Sequence, residues 1–572
     1  MKLKRVKISG FRSINNEIEI ELPQICAIIG ANNVGKSNIL LAIHKVLGRD
    51  WITVNSFDEE DVYNQEPDKD ITIDIEFEEP FLYEQFIGFP IEIPKIQFHY
   101  TRYKIGEFKG QRRLEKSCLT LANKKAFGYK NKPKKGEQAQ MIPLTTIPQE
   151  IQEQIPVIYI SSDRNLKNQL PSARNSLLGL LLKEINTDFL RDDNIIHINN
   201  KKDEQIDITR KDRFNQCIKS AIESLRTDEF IKLEKSIKNN ALKQLGFDII
   251  HDSEKLDVFF NPLTSLDFYK SLEIWVKEND FKINATELGG GFQNAIVIAI
   301  LKAFEERKKQ GAIFLIEEPE MFLHPQMQRS FNKTLREIGK TNQVIYITHS
   351  PIFLSIPNFD EIIIVKKSNN GTYVQTSTLK FDSRIKEKFI KDLDPTRNEL
   401  FFAKKILFVE GDTEKLAISE YSIRLSYDID SLGSTIVQVG GKRNLIDYIT
   451  LALSFKMEIG ICYDKDSSDF IDKKEEELEY NKELDKFISK GVKVWCFDKK
   501  FEDELKKEWG DKEYQNYCQK YSGFTKAVRA RLFANDNKIS IPSFIKPIVE
   551  WLKTNQEIEN EIEIENEQLF KF

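Results

Sequence analysis

Apolar residues near the start of the chain recur with two periods. Over 3–9 and 17–22 they alternate with charged residues, as in strands with one buried face, whereas 25–29 is apolar throughout, as in a strand covered on both faces. The spacing widens to three and four over 37–47, which predicts a helix. Strand patterns return over 71–79 and 96–103. A lysine-rich stretch with Gly, Pro and Asn punctuation, 123–138, reads as a loop, and 155–160 reads as another buried strand.

From about 170 to 250 the pattern is helical, over 173–185 and in one long run over 214–245. Short buried strands and helices resume at about 283 and continue to 367. The stretch 380–405 reads as a mainly helical connector. A second α/β unit then begins at "ILFVEGD" and continues through "EIGICYDKD" and "VKVWCFD". No repeat of fixed period is present. The tail alternates six glutamates between Glu557 and Glu567, the composition of a solvated end.

At 572 residues the chain exceeds one ordinary core, so two to four domains are expected. An apolar share of 40% with 31% charged residues describes a soluble protein. The net charge of −5 confines any nucleic-acid surface to a local patch. Lys124, Lys125, Lys130, Lys132, Lys134 and Lys135 make one such patch, and Lys526, Arg529 and Arg531 a second. The six cysteines lack metal-ligand spacing and suit a reducing cytosol. No signal core follows the basic start and no window of 18 apolar residues occurs, so a cytoplasmic protein without a membrane partner is expected.

Chemistry enters with "GANNVGKS", between a buried strand and a helix. Gly30 and Gly35 let the backbone wrap phosphates, with Asn33 in the turn between them. Lys36 would meet the β and γ phosphates of ATP, and Ser37 would offer its hydroxyl to Mg²⁺. A later strand, "AIFLIEEPE", ends in Glu317, placed to hold Mg²⁺ through water, and Glu318, placed to activate the attacking water. Aspartate is usual at the first of these positions. "VIYITHSP" ends a further strand at His349, within reach of a γ-phosphate. Before them, "LGGGFQN" sets Gly289, Gly290, Gly291 and Gln293 at a helix start, an anion-binding nest. These pieces resemble an ABC-type ATPase, whose signature glycines cap ATP held by a second subunit. The signature serine is absent here, so that contact would rest on backbone N–H groups and Gln293. The resemblance implies a homodimer.

In the second unit, Glu410 ends one apolar strand, and Asp464 and Asp466 end another some fifty residues later. Two acids two apart on an extended chain share a face. If the strands are parallel neighbours, Glu410, Asp464 and Asp466 form an all-oxygen site for Mg²⁺ or Mn²⁺, with Glu414 one helical turn on. This resembles a Toprim domain. "FDKKFEDEL", with Glu502 and Glu504, matches the acidic segment that completes a second metal site in nuclease-type Toprim domains. The resemblance also implies a catalytic lysine near the C-terminus, for which Lys526 is preferred over Lys546. Lys442 and Arg443, after a Gly-Gly turn, are candidates for a nucleic-acid phosphate.

An ABC-type ATPase joined to a C-terminal Toprim nuclease resembles the OLD (overcoming lysogenization defect) family, which includes the Gabija anti-phage nuclease subunit. The fold class expected is α/β: an ABC-type ATPase (1–165 and 276–380) with a helical, dimerising insertion (166–275), a connector (381–400) and a Toprim domain (401–572). The resemblance implies a metal-dependent DNA endonuclease or nickase, regulated by ATP and assembled as a homodimer or higher homo-oligomer. A UvrD-like helicase is the partner in Gabija-type systems, and other OLD proteins act alone; the sequence leaves both open. The competing reading is an ATP-driven DNA clamp, RecF- or SMC-like, with a non-catalytic Toprim-like domain.

Overall fold

The computed structural model describes residues 2–48, 51–133, 139–144, 146–163, 165–173, 176–199, 205–251, 253–255, 263–278, 281–307, 311–377, 379–391, 396–431, 433–465 and 474–553. The chain forms two compact units, Met1–Ser162 with Gln310–Phe572, and Asp163–Lys309.

In the first unit, the apolar runs assemble a six-stranded sheet in the order Gly371–Thr376, Ile362–Ser368, Ile25–Ile29, Gln343–Ile347, Ile313–Glu317, Val157–Ile160. All neighbours are parallel except the first hairpin. Both faces are covered, which is why Ile25–Ile29, Ile313–Glu317 and Gln343–Ile347 are buried at every position. Alternating strands build a second, antiparallel sheet in the order Ile18–Glu21, Leu3–Ser9, Ile71–Phe86, Phe89–Arg102, Arg112–Leu119. Helix Lys36–Leu47 contributes Ile39, Leu40, Ile43, Val46 and Leu47 to one core shared with both sheets. Within the lysine-rich stretch expected as a loop, Phe127–Tyr129 pairs with Met141–Pro143 as a short ribbon. Lys134 and Lys135 lie outside the described residues.

The same unit holds a four-stranded sheet, all parallel, in the order Ser434–Gln438, Lys405–Val409, Glu458–Asp464, Lys493–Phe497. The strands that end at Glu410 and Asp464 are therefore adjacent, Val409 lying opposite Cys462. The segment expected as a connector is helix Ser383–Lys391 and a 3-10 turn, Arg397–Phe402. The glutamate tail lies outside the described residues.

The second unit contains helices Leu177–Arg191, Arg210–Leu225, Asp228–Gln244, Ser265–Lys270 and Gly290–Arg307. The long run expected over 214–245 is two helices. Thr227 starts the second, its hydroxyl accepting from Phe230 N with Asp228 and Glu229 in the first turn, a combination that favours a new helix start over continuation. Two hairpins also occur here, Ile195–Asn199 with Gln205–Thr209 and Trp275–Glu278 with Phe281–Asn284. No described helix is long and apolar enough to cross a membrane.

Candidate functional site

The loop from Gly30 to Gly35 leaves strand Ile25–Ile29 and enters helix Lys36–Leu47. Gly35 has φ +101°, and a Cβ there would stand 2.3 Å from Ser13 Oγ and 2.5 Å from Thr372 Oγ1, so only glycine fits. Those hydroxyls support the loop from below. Asn38 Nδ2 donates to Ser13 Oγ (2.8 Å), Ser13 and Thr372 share a hydrogen bond (2.8 Å), and Thr372 Oγ1 donates to the Val34 carbonyl (2.7 Å). Asn33 (φ +63°) and Ser37 are exposed at the mouth. The Lys36 ammonium donates to the carbonyls of Gly30 (3.0 Å) and Ala31 (2.7 Å). Burial pulls its pKa below the usual lysine range, while Glu318 and Glu320 oppose that shift.

Glu317 ends its strand buried, and Glu318 follows in a left-handed conformation (φ +45°) with its N–H donating to the Ile347 carbonyl (2.8 Å). His349 has its pKa lowered by desolvation first and by the Lys36 charge second, which places its ring in the field of the phosphate-loop lysine. The sequence reading did not single out Glu320. Its carboxylate accepts from Thr348 Oγ1 (2.8 Å) and His349 N (2.5 Å), tying the turn after Glu318 to the strand end at His349. Burial holds Glu320 above the usual carboxylate range. A third acid in "EEPE" was the available signal.

Gly289, Gly290 and Gly291 lie at the start of helix Gly290–Arg307, in the second unit. A Cβ on Gly289 would meet nothing within 4 Å, so packing does not explain that glycine. The Gln293 side chain is engaged locally. Its Nε2 donates to the carbonyls of Thr286 (3.1 Å) and Leu288 (2.7 Å), and its Oε1 accepts from Leu166 N (3.2 Å). In this conformation Gln293 shapes the glycine loop.

At the end of the four-stranded sheet, Glu410 and Asp464 are each held by the backbone of a neighbouring loop, and Glu414 by the start of its own helix. Glu410 Oε1 accepts from Asp464 N (2.7 Å), Asp464 Oδ1 accepts from Phe501 N (3.0 Å), and Glu414 Oε2 accepts from Gly411 N (3.1 Å). Gly441 N donates to the Glu410 carbonyl (2.8 Å). Glu414 and Glu502 are buried, 6% and 8% exposed. Burial first, then repulsion from Glu502, raises the Glu414 pKa above the usual carboxylate range, and Lys526 opposes the shift. Lys526 Nζ lies 2.8 Å from Glu502 Oε1 as an ion pair without hydrogen-bond alignment. The structure thus brings Glu414, Glu502 and Lys526 together beside Glu410 and Asp464. Glu504 instead pairs with Lys507 on its own helix (2.6 Å). Lys442 is buried and donates to Glu477 (3.0 Å), so it is occupied internally. Asp466 lies outside the described residues.

Among the described residues no three acidic, histidine or cysteine side chains already surround one point as a metal cage. The donor chemistry nevertheless fits a hard divalent cation. Oxygen ligands predominate, two carboxylates are buried within each other's field, and one lysine is the neighbouring counter-charge.

Comparison with known proteins places this geometry. Residues 1–354 match the AAA ATPase domain family, and residues 401–466 match the TOPRIM domain of overcoming lysogenization defect protein-like proteins. The chain is 28% identical over 478 residues to the OLD nuclease of Thermus scotoductus, covering 81% of this chain and 82% of that one. It is 24% identical to the Old nuclease of Escherichia phage P2, over 80% of this chain and 76% of the relative. It is also 30% identical to Endonuclease GajA of Bacillus cereus, over 30% of each chain. The chain belongs to the AAA ATPase domain family through residues 1–354, and residues 401–466 carry a segment similar to the TOPRIM domain of overcoming lysogenization defect protein-like proteins.

Proposed function

We propose that the chain is an ATP-regulated, divalent-metal-dependent DNA endonuclease or nickase serving anti-phage defence. The observation that carries the reading is the group of carboxylates formed by strand-end Glu410 and Asp464 and by Glu414 and Glu502 in the first turns of two helices, with Lys526 beside them. Such a group is electrostatically unfavourable alone and becomes favourable around a cation.

Glu410 and Asp464 would be the first ligands, since backbone N–H groups already orient one oxygen of each. Glu414 and Glu502 would complete the site, with Asp466, two residues beyond Asp464 in sequence, a further candidate. Mg²⁺ or Mn²⁺ held there would activate water and steady the leaving oxygen in phosphodiester hydrolysis. Lys526, released from Glu502, would contact the scissile phosphate. In the ATPase, Lys36 would exchange the Gly30 and Ala31 carbonyls for ATP phosphates. Ser37 and Glu317 would hold Mg²⁺, Glu318 would position water, and His349 would meet the γ-phosphate. Gly289 to Gly291 would cap the nucleotide of a second copy, making the assembly a homodimer or larger. A UvrD-like helicase is a partner to test for, given the likeness to GajA.

The connector supports regulation by ATP. Asn398 is buried, and its Nδ2 donates to the carbonyls of Pro351 (2.9 Å) and Leu354 (3.0 Å), in the turn immediately after His349. Its neighbour Arg397 donates to Tyr448 OH (3.2 Å) on the Toprim side. A nucleotide can bias cleavage only by binding two arrangements of this joint unequally.

The test is cleavage of supercoiled plasmid by the full chain with Mg²⁺ or Mn²⁺, under ATP, ADP or no nucleotide. The expected result is cutting that Asp464→Ala abolishes and whose nucleotide response Lys36→Ala removes. Cutting that survives Asp464→Ala would overturn the site assignment. Identical rates under all three nucleotide conditions would overturn the regulation.

A further inference from the structure

Beside the Toprim acids lies a group of rings that the proposed chemistry does not use. Helices Asp511–Lys520 and Lys526–Asn535 are joined by a short turn, residues 521–525. Phe533 on the second helix gathers Tyr514, Tyr517 and Tyr521 around it, with ring centroids 5.8, 5.2 and 6.1 Å away. Tyr517 is fixed further by its hydroxyl, which donates to Asp536 (2.9 Å). The turn therefore stands on a packed aromatic base, and Phe524 N donates back to the Tyr521 carbonyl (3.1 Å) to close it.

On this base Phe524 is 53% exposed, its ring 6.4 Å from that of Tyr521. A lone exposed phenylalanine is ordinary. Here its surroundings are not. Lys520 lies 4.9 Å over the Tyr521 ring, and Lys526, two residues beyond Phe524, is the lysine that meets Glu502. The turn itself carries no acid and is flanked in sequence by Lys520 and Lys526. Thr525 caps the helix that begins at Lys526, its hydroxyl accepting from Val528 N (3.4 Å), which sets where the chain leaves the turn.

A flat hydrophobic ring bracketed by two cations is the surface on which an unpaired nucleotide settles, base on ring and phosphates on the ammonium groups. We propose that Phe524, backed by Tyr521, stacks an unpaired DNA base next to the scissile phosphate, so that the nuclease prefers DNA with a bulge or single-stranded gap over fully paired duplex. This rests on the nuclease reading for its location, and the binding surface can be tested without cleavage.

The experiment uses the full chain with Ca²⁺ in place of Mg²⁺. The probes are two duplexes of the same sequence, one fully paired and one with a two-nucleotide bulge carrying 2-aminopurine. Stacking quenches the fluorescence of that base. The expected result is quenching on binding, and a preference for bulged over paired DNA that Phe524→Ala lowers roughly tenfold, within the range found when one stacking ring is removed. Phe524→Trp should restore both. In Mg²⁺, Phe524→Ala should raise KM for the bulged duplex more than it lowers kcat. An unchanged preference in Phe524→Ala, or equal loss for both DNAs with no rescue by tryptophan, would overturn the proposal. Quenching that depends on Phe524 in a protein that cuts nothing would leave the stacking surface standing and remove the nuclease reading instead.

Discussion

Two sheets in one compact unit, one parallel and the other parallel but for an edge hairpin, present their chemistry at the carboxyl ends of their parallel strands, yet in opposite electrical senses. At the six-stranded sheet, the loop around Gly35 is a backbone cradle whose one lysine is turned onto its own carbonyls. At the four-stranded sheet, carboxylates are buried in each other's field with a lysine at their edge. The first arrangement has an unsatisfied appetite for an anion, and the second for a cation. Strand-end position is general to α/β folds. What the residues there lack electrostatically distinguishes the two sites.

The largest effect should come from Glu410→Ala, which deletes a proposed ligand and frees Asp464 N at once. Plasmid cutting should fall roughly 100-fold or more, as when a group that holds transition-state charge is lost. Far-UV circular dichroism should remain native, and retained cutting would break the contrast on the Toprim side. Gly35→Ala should abolish nucleotide binding measured by fluorescent ATP titration, because the added Cβ collides with Ser13 and Thr372 hydroxyls at a positive φ. Normal ATP affinity in that variant would break the contrast on the ATPase side.

Asn398→Ala leaves the Pro351 and Leu354 carbonyls without their buried donor, at a cost of about 1–3 kcal/mol for such a loss. Thermal unfolding should shift down, and the ATP response of cutting should weaken even where cutting persists. The smallest effect concerns pH. Glu414 has a raised pKa in the folded state, so without metal the fold takes up a proton between the ordinary and the raised value. Stability without metal should decline as pH rises through that window, and a divalent cation should restore it by displacing the proton. Mn²⁺ affinity by calorimetry should therefore rise with pH there, and Glu414→Gln should flatten the dependence.

Much of the fold was legible because the chain alternates clean periods. Apolar runs of five mark strands buried on both faces, and each is followed by the loop that carries chemistry. The adjacency of the strands ending at Glu410 and Asp464 was expressed only as a condition, and parallel pairing meets it. Glu320 and Asn398 were not legible for a different reason. Their roles depend on partners brought close by folding, at Thr348, His349, Pro351 and Leu354, and no local pattern encodes a side chain's distant acceptor. The pairing of Lys442 with Glu477 was not legible for the same reason, since Glu477 reaches it from another helix.

A row of rings leads from the ATPase into the Toprim sheet: Phe359 to Phe381 (5.1 Å), Phe381 to Phe389 (5.5 Å), Phe389 to Tyr448 (5.0 Å) and Tyr448 to Phe408 (5.8 Å). Each contact of this kind adds about 0.5–1.5 kcal/mol beyond the area it covers. The row makes the Toprim domain a poor candidate for transplantation. A fragment beginning at residue 401 would strip Phe389, with Phe381 behind it, from Tyr448, which packs on Phe408 in the strand whose end carries Glu410. The carboxylate edge thus leans on its neighbour, and a Toprim fragment severed from the ATPase would lose its footing.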